Sequence, residues 1–166
     1  MAFDLPRIAR HLTTLRGRVR RAFPPQTLAA IEQAVKAGEA THDGEIRFVV
    51  EGALDGLPLL RGQSARERAI EVFSQWRVWD TARNNGVLVY VLLADRRIEI
   101  VADRGIDTSV GPGGWEAICH DMELAFRHGD YEQGAVACVH AVAQHLATSA
   151  AGARRSNELP DAPAFV

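Results

Sequence analysis

The stretch ARNNGVLVYVLLADRRIEIVADRGID, residues 82–107, decides the fold of this chain. Residues 87–93 are apolar at every position, which is typical of a central β-strand covered on both faces. Residues 97–103 alternate between an apolar face and a face that carries Glu99 and Asp103. Because only the short charged turn ADRR separates the two segments, we predict an antiparallel β-hairpin.

A further strand and a helix precede this hairpin. Residues 45–51, EIRFVVE, alternate in the same way, which predicts a strand with one buried and one mixed face. Ser64 and Glu67 form a capping-box pattern at the start of a helix predicted over residues 65–79. A helix between two strands favours a parallel, right-handed crossover from the first strand to the hairpin.

Helical periodicity surrounds these strands, and it predicts the fold class. One amphipathic helix is predicted over residues 6–22, and further helices over 25–40, 114–129 and 131–149, while 52–64 and 103–114 are interpreted as loops. The expected fold is α/β, a small mixed β-sheet of three or four strands, with a βαβ crossover plus the β-hairpin, sandwiched between helices. The expected organisation is an N-terminal basic amphipathic helix at 1–26, an α/β domain at 27–150 and an extended C-terminal tail at 151–166.

Composition indicates an ordinary globular protein. The chain has 166 residues, with 47% hydrophobic and 24% charged residues, which suits one domain without disulfide or metal staples. Its formal net charge of -2 gives no overall attraction to nucleic acid or to an anionic membrane. Cys119 and Cys138 lie in apolar, helix-like stretches and are interpreted as unpaired packing residues. Because no signal peptide or apolar stretch of membrane-spanning length is present, we predict a cytoplasmic protein without a transmembrane segment.

Positive charge is concentrated at the start of the chain. Only Asp4 opposes the arginines of the first 23 residues, which are Arg7, Arg10, Arg16, Arg18, Arg20 and Arg21. Two interpretations remain open. The segment is either an arm that docks on an anionic surface or a solvated helix face.

Polar side chains gather where the hairpin brings the entry of one strand beside the exit of the other. The antiparallel arrangement places Asn84 and Asn85 near Asp103 and Asp107, with Asp80 just upstream. Carboxylate and amide oxygens are ligands for Ca²⁺ or Mg²⁺, so we predict a divalent-cation site from these residues. The alternative is a solvated, hydrogen-bonded rim without a bound ion.

Two further polar features remain open from the residues alone. Arg104 either takes the place of the cation among the carboxylates or binds a phosphate or carboxylate ligand. His42, Glu45 and Arg47 supply either a general base and an anion clamp or a plain turn and outward strand face. Glu99 is a further candidate on the polar face of its strand. Ser64, Ser74, Thr108 and Ser109 have no neighbouring base in the sequence, so nucleophilic catalysis has no support from them.

Taken in series, four short motifs resemble the TPM-domain family, whose members are sometimes called TPM phosphatases. They are the Asn-Asn-Gly at 84–86, the Asp-Arg turn at 95–96, Arg-Gly-Ile-Asp at 104–107, and the AFRHGDYEQG segment at 125–134. The resemblance covers residues 27–148, and it is to a shorter branch of the family. It implies a mixed sheet between helices, a divalent-ion site, often for calcium, in acidic loops, and acid phosphatase activity. Relatives are linked to photosystem repair and to membrane-associated partners.

The chain departs from the family pattern at positions that bear on the ion site. Asn84 stands where the family has an aspartate, and Asp103 and Arg104 stand where it has glycine and tyrosine, while Asp107 replaces a glutamate. Two hypotheses follow. The first is a non-catalytic binding module that acts with a protein partner associated with a membrane and binds a divalent cation. The second is a cation-dependent, phosphatase-like hydrolase that takes a small phosphate ester, with Arg104 as the phosphate clamp.

Overall fold

The computed structural model describes residues 4–14, 16–149 and 156–166. In chain order the helices are α1 (Leu5–Thr13), α2 (Arg16–Ala22), α3 (Pro25–Glu39), α4 (Gly56–Leu60), α5 (Ala65–Gln75), α6 (Arg104–Val110), α7 (Pro112–Arg127) and α8 (Tyr131–Ser149). The strands are β1 (Glu45–Glu51), β2 (Gly86–Leu92), β3 (Arg97–Ala102) and β4 (Ala164–Phe165). The predicted boundary at residue 150 lies outside the described residues.

The strands form one mixed sheet in the order β3-β2-β1-β4. β1 and β2 are parallel, with Ile46 opposite Val87, and β2 and β3 are antiparallel, with Val89 opposite Ile100. Both the crossover and the hairpin predicted from the sequence are therefore confirmed. β2 is buried at all of its positions because it pairs on both edges and is covered on both faces.

Helices cover both faces of the sheet and create two hydrophobic cores. One core joins Phe48 of β1 and Val89 of β2 to helices α3, α7 and α8, and also contains Phe23 and Leu146. The other joins the opposite faces of β1, β2 and β3 to α5 and to Leu159 of the C-terminal segment. This is the predicted α/β sandwich, and the alternating strands divide their side chains between the two cores as expected.

The N-terminal region differs from the prediction of one helix over residues 6–22. Helix α1 ends at Thr13, where the amide of Thr14 bonds the carbonyl of His11, and α2 begins at Arg16. The two short helices have different roles. His11 of α1 is buried beside the β2–β3 turn, whereas Ala22 of α2 and the adjoining Phe23 enter the core under α3.

Three other boundaries differ from the prediction. The segment 52–64, interpreted as a loop, contains α4, and the segment 103–114 contains α6, which Asp103 caps by accepting the amide of Arg104. Helix α5 has the predicted capping box at its start but ends at Gln75 instead of residue 79. Beyond it Arg77 has a positive φ of 54°, which is incompatible with a continuing helix.

The C-terminal segment crosses the sheet edge and adds β4 beside β1. The amide of Val166 bonds the carbonyl of Val50 at 3.1 Å, and Ala164 lies opposite Val49. Both cysteines are free thiols, as predicted. Among the residues that the structure describes, no helix is long and apolar enough to span a membrane.

Candidate functional site

The predicted polar cluster at the β2–β3 end of the sheet comes together through its backbone. The amide of Asp103 donates to the carbonyl of Gly86 at 2.9 Å, which continues the hairpin ladder by one bond. A Cβ on Gly105 would lie only 2.8 Å from the carbonyl oxygen of Asn84, so the loop before β2 rests directly on α6. Asn84 has a φ of 53°, a conformation that asparagine tolerates better than most residues. The backbone segments that carry Asn84 and Asp103 therefore lie close together, as the hairpin geometry predicts.

The side chains of the cluster are engaged in separate local tasks. Asp103 caps α6 through Oδ1, which accepts the amide of Arg104 at 2.7 Å. The side-chain amide of Asn85 donates to the backbone carbonyl of Asp43. Asp80 is exposed and pairs with Arg77 at 2.8 Å. Each of these contacts braces a turn or a helix end.

These residues do not fit the cation site that the family resemblance implies. Oδ2 of Asp103 and Oδ1 of Asn85 are buried without a hydrogen-bond partner. However, Asn85 continues the face of Val87, in one core, while Asp103 continues the face of Val101, in the other. In the described ranges, no group of three or more His, Cys, Asp or Glu side chains is placed to hold a metal ion. The ion site stays a prediction, with its test below.

The second predicted set lies on β1 and the turn before it. His42 is buried, and its Nδ1 accepts the amide of Gly44 at 3.1 Å. Glu45 is buried as well, and its Oε2 accepts the amide of Leu159 at 3.2 Å. His42 therefore contacts the turn before β1, and Glu45 contacts the C-terminal segment.

Arg47, predicted as an anion clamp, contacts the C-terminal segment. Its Nη1 donates to the carbonyls of Pro160 at 2.8 Å and Ala162 at 2.7 Å, and its guanidinium lies 5.4 Å from the ring centre of Trp76. Burial lowers the pKa of Arg47. Arg104, the other predicted anion-binding residue, is exposed at the first turn of α6, and no side-chain partner for its guanidinium exists in the described part of the chain.

Glu99 and Asp107 both line a cleft between β3 and α7, which we call the acidic cleft. The cleft has a volume of about 570 Å³, and its lining also includes Arg66, Glu116 and His120. Burial raises the pKa of Glu99, Glu123 raises it further, and Arg66 and Arg97 oppose the shift. A carboxyl group whose pKa is raised inside a cleft is a candidate proton donor.

The sequence of the chain matches a known protein family, and its fold matches solved structures. The family model described as TPM domain matches residues 20–145. The chain belongs to the TPM-domain family. The match includes the sheet through β3, helices α3 to α7 and most of α8, whereas α1 and the C-terminal β4 lie outside it.

Two solved structures resemble this TPM domain. The NMR structure of BA42 from the psychrophilic bacterium Bizionia argentinensis has 26% identity and a TM-score of 0.72, and the alignment covers 85% of this chain and 93% of BA42. The N-terminal domain of a protein from P. gingivalis has 24% identity and a TM-score of 0.59, over 75% of this chain and 76% of that one. The second likeness concerns the fold alone. A comparison with curated proteins found no match.

A groove that the sequence analysis did not single out lies beside the TPM domain, between its N-terminal helices and its C-terminus. We call it the tail groove; it has a volume of about 630 Å³, and its lining includes Leu12, Arg16, Arg20, Phe165 and Val166. Leu12 is 72% exposed, Phe165 47% and Val166 45%. The arginine-rich N-terminal segment was the sequence signal for this groove. Phe165 and Val166, which complete its apolar lining, come from the other end of the chain.

Proposed function

We propose that this TPM domain is a non-catalytic binding module that docks on an anionic membrane surface, where membrane-associated partners lie. The observation that carries the proposal is the composition of the tail groove. Arg16 and Arg20, one helical turn apart on α2, flank the exposed side chains of Leu12, Phe165 and Val166. A surface that combines basic and exposed apolar side chains suits the interface between lipid headgroups and acyl chains.

The arginines of the groove differ from those used inside the fold. Arg7 of α1 and Arg68 of α5 bind buried or half-buried carboxylates, at 2.7 Å and 2.8 Å. Arg16 and Arg20 are exposed, and no acidic partner for either lies in the described ranges. Each unpaired arginine near an anionic membrane contributes about 1 kcal/mol of attraction. Asp55 also lines the groove and opposes part of this attraction.

Four candidate nucleophiles among the described residues are poorly prepared for catalysis, which supports a module without chemistry. Burial raises the pKa of the Cys119 thiol to about 12 and also raises that of Cys138, so neither is a ready thiolate. The hydroxyl groups of Thr108 and Ser109 donate to backbone carbonyls inside α6. The cation is not part of this proposal, because Asn85 and Asp103 extend toward opposite faces of the sheet.

The proposal is tested by flotation with phosphatidylcholine vesicles that contain or lack phosphatidylglycerol. We expect the wild-type protein to float with the anionic vesicles only, and less so as salt is added. The double variant Arg16→Glu, Arg20→Glu should remain in the soluble fraction. The matched control Arg61→Glu, Arg104→Glu changes the same charge on exposed arginines outside the groove that, like Arg16 and Arg20, have no ion pair among the described residues, and it should float like the wild type. Equal flotation of both variants would reject the proposal.

A second candidate function, hydrolysis of small phosphate esters, is favoured by the acidic cleft. There Glu99, with its raised pKa, lies near the exposed Asp107 and His120. Under this alternative Glu99 is the proton donor to the leaving group. Glu71, an exposed glutamate on α5, provides the control. If turnover of p-nitrophenyl phosphate is lost in Glu99→Gln and retained in Glu71→Gln, the protein is a hydrolase and the proposal of a non-catalytic module is wrong.

A further inference from the structure

A second basic cavity lies on the other side of α2, at the far end of the sheet from the predicted ion site. It has a volume of about 280 Å³, and its lining includes Arg18 of α2, Arg96 of the β2–β3 turn, Arg127 at the end of α7 and the neighbouring His128. Three separate segments of the fold therefore direct arginines into one small space. We call this cavity the arginine pocket.

The three guanidinium groups of the arginine pocket are available to a ligand. Arg18, Arg96 and Arg127 are all exposed, and none has an ion pair or side-chain hydrogen bond with the described residues. No acidic side chain is found among the described residues that line the pocket. Asp95, next to Arg96 in the chain, is already bound by Arg7 and His11. Positive charges that line one cavity without an acidic partner repel one another, and a bound anion would relieve that repulsion.

The floor of the arginine pocket is apolar. It consists of Val91, Leu93 and Ile98 from the hairpin, with the rings of Phe126 and Tyr131, whose centres are 4.9 Å apart. A fully hydrated inorganic anion gains nothing from such a floor. A ligand with a carbon body beside its charged group would bury that body there.

We propose that the arginine pocket binds a phosphate group carried on an apolar body. A phosphate offers three terminal oxygens to three guanidinium donors, whereas a carboxylate offers two and is satisfied by a single bidentate arginine. The cavity lies near the lower end of the size range of small-molecule sites, roughly 300–1,000 Å³, so the ligand is small or enters only by its headgroup. A soluble phosphate ester and the headgroup of a phosphatidic acid share this chemistry.

This inference goes beyond the membrane-docking proposal and can fail separately from it. Arg16 and Arg20 line the tail groove, while Arg18, two residues from each, lines the arginine pocket. Residues two apart on a helix lie on different faces. The variants that test one site therefore leave the other unchanged.

Calorimetric titration of the whole chain with three probes tests the inference. We expect phenyl phosphate to bind at least about tenfold more tightly than inorganic phosphate, because only the ester uses the apolar floor. A monomeric short-chain phosphatidic acid is the third probe. Tighter binding of phosphatidic acid than of phenyl phosphate would identify a lipid headgroup as the natural source, and the reverse would identify a soluble ester.

The matched variants separate the pocket from general charge effects. Arg96→Asn, Arg127→Gln should weaken the organic phosphate at least about tenfold. Asparagine is chosen because Arg96 has a φ of 54°, which asparagine tolerates. Arg61→Gln, Arg77→Asn is the control, since Arg77 also has a φ of 54°, and its affinity should be unchanged. The inference is overturned if no organic phosphate binds, if both double variants bind equally, or if inorganic phosphate binds as tightly as the esters.

Discussion

Arg7 holds Asp95 through a bidentate pair, in which Nη2 donates to Oδ2 at 2.7 Å and Nε donates to Oδ1 at 3.1 Å. His11, one turn further along α1, places Nε2 2.9 Å from Oδ1 of the same carboxylate. Its Nδ1 accepts the amide of Leu54, so the ring proton lies on Nε2 and is donated to Asp95. The carboxylate of Asp95 in the β2–β3 turn thus anchors α1. Helix α1 precedes α2, whose arginines line the tail groove and the arginine pocket.

We expect Asp95→Ala to destabilise the protein by about 1–3 kcal/mol, because it leaves Arg7 and the buried His11 without their acceptor. Chemical unfolding measures this change. Limited proteolysis should also cut within α1 earlier in the variant than in the wild type. Asp121→Ala removes an exposed aspartate of α7 and should change the unfolding free energy by less than about 0.5 kcal/mol. Equal effects of the two substitutions would contradict the anchoring role.

The same contact predicts a dependence of stability on pH. Burial alone would raise the pKa of Asp95, but the hydrogen bonds from Arg7 and His11 outweigh it, and the net pKa is lowered. A lowered pKa in the folded state means that the stabilisation is present above the unfolded value, about 3.9, and is lost as the pH falls through the folded value. The stability difference between wild type and Asp95→Ala should therefore shrink below about pH 3.9. A constant difference down to the acid transition would contradict this.

The parts of the fold that could be predicted are those whose signals are local. The hairpin follows from the alternation at residues 97–103 and a short turn, and the start of α5 follows from Ser64 and Glu67. The break between α1 and α2 was not predicted, and Asp95, which α1 contacts, lies far away in the sequence. The short helix α6 was missed because a single capping residue, Asp103, is a weak signal.

The candidate sites were only partly predictable, because side-chain direction depends on distant partners. Chain geometry predicted that Asn84 and Asn85 come near Asp103, Arg104 and Asp107, and the structure places the carbonyl of Asn84 against Gly105 in that loop. The geometry did not indicate that Asn85 turns to the carbonyl of Asp43. Arg47 has the exposure pattern of an outward strand residue, and its contacts with Pro160 arise only when the C-terminal segment returns to β1. The arginine pocket joins three segments that are far apart in the chain.

A buried network around Glu51 gives a third prediction. The hydroxyl of Tyr90 donates to Oε2 of Glu51 at 2.6 Å, and Nε of Arg68 donates to the same oxygen at 2.8 Å. Burial, with Glu51 nearby, raises the pKa of Tyr90, so the hydroxyl stays a donor at all ordinary pH values. Tyr90→Phe should destabilise the fold by about 1 kcal/mol, since Arg68 still satisfies the carboxylate.

Tyr131 provides the matched control for this measurement. Its hydroxyl has no hydrogen bond in the described structure, so Tyr131→Phe should change the unfolding free energy by less than about 0.5 kcal/mol. Equilibrium urea unfolding of the two variants measures both values. If the two tyrosines give the same change, the hydrogen bond to Glu51 contributes nothing to stability.

The contact between Arg47 and the C-terminal segment gives a fourth prediction. Its donation to the carbonyls of Pro160 and Ala162 holds the segment that carries β4. Arg47→Met keeps an unbranched apolar side chain over Trp76 but removes both hydrogen bonds. We expect the amide of Val166, bonded to the carbonyl of Val50, to exchange its hydrogen about tenfold faster or more. Arg61→Met is the control, and unchanged exchange at Val166 in Arg47→Met would show that β4 does not depend on this contact.

The last prediction concerns the divalent cation that the family resemblance implies. A bound ion at a hundredfold excess over its dissociation constant would add about 2.7 kcal/mol of stability. For a domain of this size each kcal/mol raises the melting temperature by roughly 2–4 °C, so such an ion would be obvious in a thermal melt. We expect no change with Ca²⁺, Mg²⁺ or a chelator, because Asp103 caps α6 and Asn85 faces the other core. A rise with Ca²⁺ that the chelator reverses, and that Asp103→Asn, Asp107→Asn removes, would contradict this. It would also place the ion at the strand ends, where the hairpin geometry predicts it.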